Sequence, residues 1–231
     1  MFKTGTTNES NRVAWLESTL KKIPEGSRLL DAGAGECPFR KFCTHLDYVS
    51  QDFAQYTGTG SVGLQTGTWD NSRIDIVSDI TSIPVKEASF DVVLCTEVFE
   101  HIPDPVSAIR ELHRILRPGG LMILTAPFAS LTHFAPYHFS TGFNRFYYEH
   151  HLINTGFDIQ ELTMNGNYFE YIAQEIRRIK HVAKTYTTKR VNILEKIFMH
   201  AVLFTLQRLS ASDRGSNELL AYGIHVIARK K

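Results

Sequence analysis

The chain has 231 residues, of which 43% are hydrophobic and 21% are charged, and its formal net charge is +1. This length can bury a large core without disulfide or metal cross-links, and the near-neutral charge counts against a nucleic-acid partner. The N-terminus, MFKTGTTNES, is polar and no stretch reaches eighteen apolar residues, so we expect neither a signal peptide nor a transmembrane helix.

Short apolar runs alternate with amphipathic segments in the first half of the chain. The pattern predicts helices at 8–22, 38–45 and 105–117, and strands at 28–31, 48–50, 74–79, 89–97 and 121–127. The Pro-Gly-Gly at 118–120 is interpreted as the stop of the third helix, and the Gly- and Thr-rich stretch 57–68 as a loop. Strands that alternate with helices favour an α/β fold with a doubly wound, mostly parallel sheet.

The second half continues with a loop at 127–142, a helix at 143–154, a strand at 157–164, helices at 168–183 and 191–209, and a last strand within 219–231. If the strand at 157–164 and an antiparallel last strand are neighbours, residues 165–218 leave and return at one edge of the sheet. We therefore expect one domain over 1–231, with a helical insertion at 165–218 that forms a cap beside the ligand site.

Two segments of this insertion allow more than one interpretation. The stretch RRIKHVAKTYTTKR (177–190) holds six basic residues and no acid, as in a solvated helix face or in a surface that contacts an anionic acceptor or a membrane. The stretch ILEKIFMHAVLFTLQRL (193–209) is apolar around much of its circumference. It is interpreted as a core or dimer-forming helix, with peripheral membrane contact as the alternative.

The stretch LLDAGAGEC (29–37) places an acid and two glycines directly after the first strand. Gly33 and Gly35 allow the backbone to approach a ligand closely, although a purely structural turn has the same pattern. A dinucleotide site would need a third glycine, which is missing here, and Asp31 would repel a pyrophosphate. The turn therefore favours a cationic or hydroxyl-rich ligand.

Three further acids follow the next three strands. They are Asp52, Asp79 and Glu97, and the carboxyl ends of parallel strands lie at one edge of a sheet. Asp52 has the position to accept hydrogen bonds from ribose hydroxyls, and Asp79 with Ile80 could contact an adenine. Each acid alone could be a solvated strand end, whereas four at one edge indicate a nucleoside-bearing ligand.

These motifs resemble those of class I S-adenosylmethionine-dependent methyltransferases, of the methyltransferase type 11 kind. The similar segments are LLDAGAGEC, YVSQDF (48–53), SDITSIPVKEASFDVVLCTEVFEHIPDP (78–105) and ELHRILRPGGLMILTAPF (111–128). The resemblance implies S-adenosyl-L-methionine as cofactor, and it implies the cofactor-binding residues Asp31, Gly33, Gly35, Asp52, Phe53, Asp79, Ile80 and Glu97. The loop at 57–72 is longer than this family usually needs, and its role stays open.

Three histidines follow strands at the same edge. His101 comes after the fourth strand, and His133 and His138 lie in the loop after the fifth. Since histidine titrates near neutral pH, these are the candidate catalytic bases for a hydroxyl acceptor, with structural or substrate-contact roles as the alternative. The five-residue gap between His133 and His138 suits no common helical ligand pair, so no metal site is expected.

The sequence therefore predicts a cytoplasmic S-adenosylmethionine-dependent O-methyltransferase of a small molecule or a glycan- or lipid-linked intermediate. The sparse cysteines, without a CxxC pair, support the cytoplasmic location. The alternatives are a non-catalytic cofactor-binding partner protein and an NAD-dependent oxidoreductase. A homodimer is a further possibility.

Overall fold

The computed structural model describes residues 2–231. Its helices are α1 Asn8–Leu20, α2 Pro105–Ile115, α3 Arg145–Thr155, α4 Tyr168–Tyr186 and α5 Ile193–Ser210. Its strands are β1 Arg28–Ala32, β2 Asp47–Asp52, β3 Ile76–Val77, β4 Phe90–Thr96, β5 Leu116–Pro127, β6 Phe157–Asn165 and β7 Gly223–Lys230.

The strands form one seven-stranded sheet in the order β3-β2-β1-β4-β5-β7-β6. β1 lies in the centre and pairs in parallel with β2 and with β4, so that Leu30 is opposite Val49 on one side and Val93 on the other. The C-terminal strands are antiparallel, which confirms the predicted Rossmann-like α/β fold. Because β1 to β4 are parallel, their carboxyl ends lie at the same edge.

The helix α2 shows how the sequence encodes one of the layers on this sheet. Asp104 caps it by accepting a hydrogen bond from the Ser107 amide, and Pro105 occupies its first turn, where no amide donor is needed. Its apolar residues recur every three or four positions and are fully buried: Ala108, Ile109, Leu112 and Ile115. The helix is therefore fixed by its cap and by the burial of one face.

Two local predictions are wrong. The helix expected at 38–45 is only a single 3-10 turn, Arg40–Phe42, because the chain must reach Asp47, which pairs with Arg28. The Pro-Gly-Gly segment does not separate α2 from the next strand, since β5 begins at Leu116, opposite Phe90, and continues through an irregularity in the pairing. Backbone pairing with β4 thus overrides the turn tendency of these residues.

The chain divides into two compact units. The larger unit comprises Ala14–Thr163 and Ile224–Lys231 and contains every predicted site residue. Its core includes Leu16, Leu20, Leu29, Leu94 and Ile123, which are fully buried.

The smaller unit comprises Met164–Gly223 together with residues up to Val13. In it, Ala173 of α4 packs with Leu203 and Leu206 of α5, and Glu170 accepts hydrogen bonds from the Gly5 amide and the Tyr222 hydroxyl at 2.8 and 2.6 Å. Other apolar side chains of α5 are exposed: Ile193, Leu194, Ile197, Phe198, Val202, Phe204 and Leu209. The helix is therefore a core element along one stripe only.

Within residues 2–231, each helix is too short or too polar to cross a bilayer.

Candidate functional site

The turn after β1 is held by the end of β2. Gly33 and Gly35 have φ angles of +75° and +52°, a region that side chains with a Cβ rarely adopt. The Gly33 amide donates to the Gln51 carbonyl at 2.8 Å, and the Gly35 amide donates to Oδ2 of Asp52 at 3.0 Å. The two glycines are thus fixed in a conformation that a residue with a Cβ would adopt only with backbone strain.

Asp31, the last acid of β1, is buried and incompletely hydrogen-bonded. Its Oδ2 accepts a 2.6 Å hydrogen bond from the Tyr48 hydroxyl, whereas its Oδ1 has no hydrogen-bond partner among residues 2–231. Burial, together with the nearby Asp52, raises the pKa of Asp31 to about 7, although the hydrogen bond from Tyr48 lowers it. This carboxyl group would gain from a cationic or hydrogen-bond-donating ligand.

Asp52 and Phe53 end β2 and lie beside the glycine turn. Besides the Gly35 amide, the buried Asp52 carboxylate accepts the Ala54 amide at 2.8 Å. Burial raises the pKa of Asp52, while these amides lower it. The Phe53 ring contacts the Tyr137 ring edge-on, at 4.8 Å between centroids.

The other two predicted acids are held by side chains close to them. Asp79 is exposed, and its Oδ1 accepts both the amide and the hydroxyl of Thr81, whereas Ile80 is buried. Glu97 has a φ of +53° and accepts a hydrogen bond from the Thr125 hydroxyl at 2.8 Å. The parallel pairing thus puts both acids at the same sheet edge as Asp31 and Asp52, with Asp79 most accessible to solvent.

A loop whose role the sequence left open covers the glycine turn. A Cβ placed on Gly35 would lie 2.5 Å from Cζ2 of Trp69, so the indole packs directly on this glycine. Trp69, Tyr56 and Phe134 form an aromatic cluster with centroid distances of 4.3 to 5.5 Å. We name these three rings the aromatic cover; the sequence prediction missed Trp69, whose only signal was an aromatic residue within a polar loop.

The aromatic cover joins two loops that are distant in the sequence. The Leu64 amide donates to the Thr132 carbonyl at 3.0 Å, and the Phe134 amide donates to the Leu64 carbonyl at 3.1 Å. The loops at 57–72 and 127–142 therefore support each other over the turn.

The three predicted histidines lie together. The ring centroids of His101 and His133 are 4.7 Å apart, and His138 is 5.0 Å from His133 and 6.0 Å from His101. Nδ1 of His101 donates to the Tyr137 carbonyl at 2.5 Å, and Nδ1 of His133 donates to the Leu131 carbonyl at 2.8 Å. Backbone carbonyls thus orient both rings.

Glu100 is a member of this cluster that the prediction missed. Its side chain is 1% exposed, and its Oε1 lies 3.6 Å from Nε2 of His101 and 3.9 Å from Nε2 of His133. Burial, and next the neighbouring His133, lowers the pKa of His101 to about 4, so its ring is neutral near pH 7. The signal in the sequence was the Glu-His pair at positions 100 and 101, shortly after β4 ends at Thr96.

Comparison with known proteins identifies the domain that carries this site. Residues 30–124 match the methyltransferase-domain family, a segment that runs from β1 through most of β5. The matched segment is similar to class I S-adenosylmethionine-dependent methyltransferases, the family that the motifs predicted.

One curated relative matches about half of the chain. A ubiquinone biosynthesis O-methyltransferase of Pseudomonas aeruginosa is 56% identical over 122 residues, which cover 49% of this chain and 49% of that protein. The alignment thus spans about half the length of the curated relative.

Two solved structures share the fold at low identity. A phosphoethanolamine N-methyltransferase 2 of Haemonchus contortus, in complex with S-adenosylhomocysteine, has a TM-score of 0.54 at 19% identity, covering 96% of this chain and 52% of that chain. The cyclase SpnF has a TM-score of 0.56 at 18% identity, covering 96% and 80%. The likeness to these structures shows the fold alone.

The residues at the glycine turn fit S-adenosylmethionine, the cofactor of this family. S-adenosylmethionine carries an amino group and a sulfonium, and the buried Oδ1 of Asp31 lacks a partner of that charge. The glycines after it are covered by protein side chains, Gly33 by Val98 and Gly35 by Trp69. The unsatisfied carboxylate oxygen of Asp31 is therefore the feature of this turn that fits a positively charged cofactor.

Proposed function

We propose that the chain is an S-adenosylmethionine-dependent O-methyltransferase of a small molecule or of a glycan- or lipid-linked intermediate. The observation that carries the proposal is the buried Asp31 at the glycine turn, with one carboxylate oxygen unsatisfied. When bound, the cofactor would supply an electrophilic methyl group on a positively charged sulfur.

We assign the binding roles from the resemblance of the motifs to the family, and the position of these residues at one edge of the sheet supports them. Asp31, Gly33 and Gly35 would hold the methionine part, Asp52 and Phe53 the ribose, and Asp79 and Ile80 the adenine, with Glu97 near the reaction centre. Trp69 would cover the bound molecule from the loop side, because it packs on Gly35. Holding two reactants in line is worth roughly 7–11 kcal/mol, so this positioning is the main contribution of the chain.

The histidine cluster would receive the proton of the acceptor hydroxyl. His138 is the most suitable base, since its Nε2 lies 3.2 Å from the Ser130 hydroxyl, whereas Nε2 of His101 and of His133 both face Glu100. Burial lowers the pKa of His138, so that its ring is neutral and able to accept a proton near pH 7.

The alternatives have less support. An NAD-dependent oxidoreductase would place a pyrophosphate next to the buried Asp31, at a turn without the third glycine. A non-catalytic cofactor-binding protein would use the same turn but would not need three histidines within 6.0 Å of one another.

Equilibrium titration separates these functions. S-adenosylmethionine should bind and NAD should not, and Asp52→Ala should weaken S-adenosylmethionine binding at least about tenfold, since it removes two charge-assisted hydrogen bonds of the turn. The control is Asp47→Ala at the other end of β2, an exposed residue paired with Arg28 at 3.4 Å, which should change nothing. Equal binding of both cofactors, or equal effects of both variants, would contradict the proposal.

Catalysis needs its own measurement. Transfer of a labelled methyl group to a metabolite pool should occur with the wild type and fall about 10²–10⁴-fold in His138→Ala at saturating cofactor. Binding without any transfer would favour the non-catalytic alternative.

The remaining proposals concern partners and location. The exposed apolar side chains of α5, such as Ile197 and Phe198, favour a homodimer through this helix, and Phe198→Asp should then shift the sedimentation of the protein towards that of a monomer. Cytoplasmic location is supported by three free, buried cysteines.

The cap that the sequence predicts at residues 165–218 stays a prediction. Cross-linking between this segment and a bound photoreactive cofactor analogue would test it.

A further inference from the structure

Three side chains from two separate segments direct metal-ligating atoms at one point. Glu100 and His101 follow β4, and His133 lies in the loop after β5. One carboxylate oxygen and two imidazole nitrogens lie within 4.8 Å of one another. The separations of Glu100 Oε1 from the two Nε2 atoms are 3.6 and 3.9 Å.

Backbone carbonyls orient both imidazoles at this point. A carbonyl can only accept, so its contact makes Nδ1 the donor in His101 (to Tyr137) and in His133 (to Leu131). Nε2 of each ring is then directed at Oε1 of Glu100. Nε2 is one of the two nitrogens through which a neutral imidazole binds a metal ion.

The spacing suits a metal ion better than direct hydrogen bonds. The two N–O separations exceed the range of a normal hydrogen bond. Ligands at about 2.1 Å from a shared ion in tetrahedral geometry are roughly 3.4 Å apart. The two separations from Glu100 Oε1 are close to this value, and all three ligand atoms lie within 4.8 Å of one another. The contact between Nδ1 and a backbone carbonyl is also the usual outer support of a metal-binding histidine.

We propose that Glu100, His101 and His133 bind one divalent transition-metal ion. Two imidazoles and one carboxylate favour zinc, or a neighbouring metal of the first transition row, over magnesium or calcium, which prefer oxygen ligands. Three protein ligands leave a coordination position open to an oxygen of water or of an acceptor. The expectation of no metal site considered only His133 with His138, and thus missed a ligand set that spans two segments.

The site would also fasten the loop that carries His133. The amides of Phe139 and Ser140 already donate to the Glu100 carbonyl at 2.8 and 3.2 Å. The same loop pairs with Leu64 on its other side. A metal ion shared by Glu100 and His133 would add a third attachment, and it would hold both loops of the aromatic cover in place.

Cobalt titration of the chelator-treated full chain tests the site without any assumption about activity. The wild type should bind one equivalent of Co²⁺ with visible d–d absorption. Glu100→Gln and His133→Ala should each weaken binding at least about tenfold, since each removes one ligand. The control is His150→Ala, an exposed histidine whose ring lies 4.9 Å from that of His151, which should leave the titration unchanged.

Two outcomes would overturn the proposal: no Co²⁺ binding by the folded wild type, or equal binding by the wild type and both ligand variants. Far-UV circular dichroism establishes that the variants are folded, and His133→Ala, in a surface loop, guards against a folding defect in Glu100→Gln.

As a second readout, Zn²⁺ should slow amide hydrogen exchange in residues 130–140 of the wild type and not of His133→Ala. Equal exchange with and without Zn²⁺ would also count against the site. Because neither readout uses S-adenosylmethionine, the failure of this site and the failure of the proposed function are distinguishable.

Discussion

The acids at the strand ends (Asp31, Asp52, Asp79 and Glu97), which we call the rim, and the histidine cluster lie in the same unit. The two regions differ in the hydrogen bonds that hold their side chains. At the rim, Asp52 accepts two backbone amides and Asp79 accepts two donors from Thr81. In the cluster, Nδ1 of His101 and Nδ1 of His133 each donate to a backbone carbonyl, and Nε2 of each ring is directed at the carboxylate of Glu100.

The rim is held by hydrogen bonds within the chain, whereas the histidine cluster is the proposed site of an added ion. The rim has its acceptors matched with donors, apart from Oδ1 of Asp31, so it can keep its shape before a ligand arrives. The cluster brings Glu100, His101 and His133 together from two segments, and we propose that these three residues share a cation. Cofactor binding at the rim should therefore not depend on metal binding in the cluster. Variants of each region can test the two properties one at a time.

The largest expected effect comes from Gly33→Ala. A Cβ at this position would lie 2.5 Å from Cγ2 of Val98, and the φ of +75° is unfavourable for alanine. The matched control is Gly26→Ala, which has the same φ of +75° but no atom within 4 Å of the added Cβ. Both variants should lose about 1 kcal/mol of unfolding free energy from backbone strain, and Gly33→Ala should lose about 1–3 kcal/mol more from the collision.

Urea denaturation measures these stabilities, and titration with S-adenosylmethionine measures binding. Only Gly33→Ala should weaken binding, by more than about tenfold. Similar losses in both variants would mean that the turn is not closely packed.

The next effect concerns the pH dependence of stability at Asp31. Its pKa is about 7 in the folded chain, against an ordinary value of 3.8. A carboxyl whose pKa is raised on folding binds its proton more tightly in the folded state. Its contribution is therefore fully present below about pH 4 and is lost as the pH rises through about 7.

Asp31→Asn keeps an acceptor for the Tyr48 hydroxyl and removes the titration. Between pH 5 and 8 its unfolding free energy should rise relative to that of the wild type by a few kcal/mol. Denaturant titrations at several pH values provide the comparison. A constant difference between the two proteins over this range would show that Asp31 does not titrate there.

A smaller effect is expected from Trp69→Ala in the aromatic cover. Loss of this ring removes the packing on Gly35 and the contact with Phe134, so S-adenosylmethionine should bind about tenfold more weakly, while residues away from the loop keep their structure. Val62→Ala in the same loop is the control, since Val62 is 65% exposed and should have no effect. Unchanged S-adenosylmethionine binding in Trp69→Ala would show that this loop does not contribute to the cofactor site.

The smallest effect is expected from Asp79→Ala. The residue is exposed and its loss should weaken cofactor binding only about threefold, because a solvent-exposed hydrogen bond contributes about 0.5–1 kcal/mol. Asp104→Ala is matched to it, since Asp104 is also exposed and also accepts an amide and a hydroxyl, from Ser107, at the start of α2. If both variants weaken binding equally, the acid at the end of β3 has no specific role.

The sequence by itself determined the order of strands and helices and the acids at their ends. The alternation of apolar runs is a local property, so β4, α2 and the helices α4 and α5 were predicted within a few residues of their observed bounds. The glycine turn was equally visible, because two closely spaced glycines directly after a buried strand mark a turn whose backbone conformation favours glycine.

Only the tertiary structure decided which distant residues meet. Trp69 reaches Gly35 and His133 reaches Glu100 because two long loops pair through Leu64, and nothing local in either loop specifies its partner. The Pro-Gly-Gly segment joins β5 for a related reason, since pairing with β4 outweighs its own turn tendency. Local sequence sets the conformation of each segment, whereas contacts across thirty or more residues depend on how the whole sheet brings the segments together.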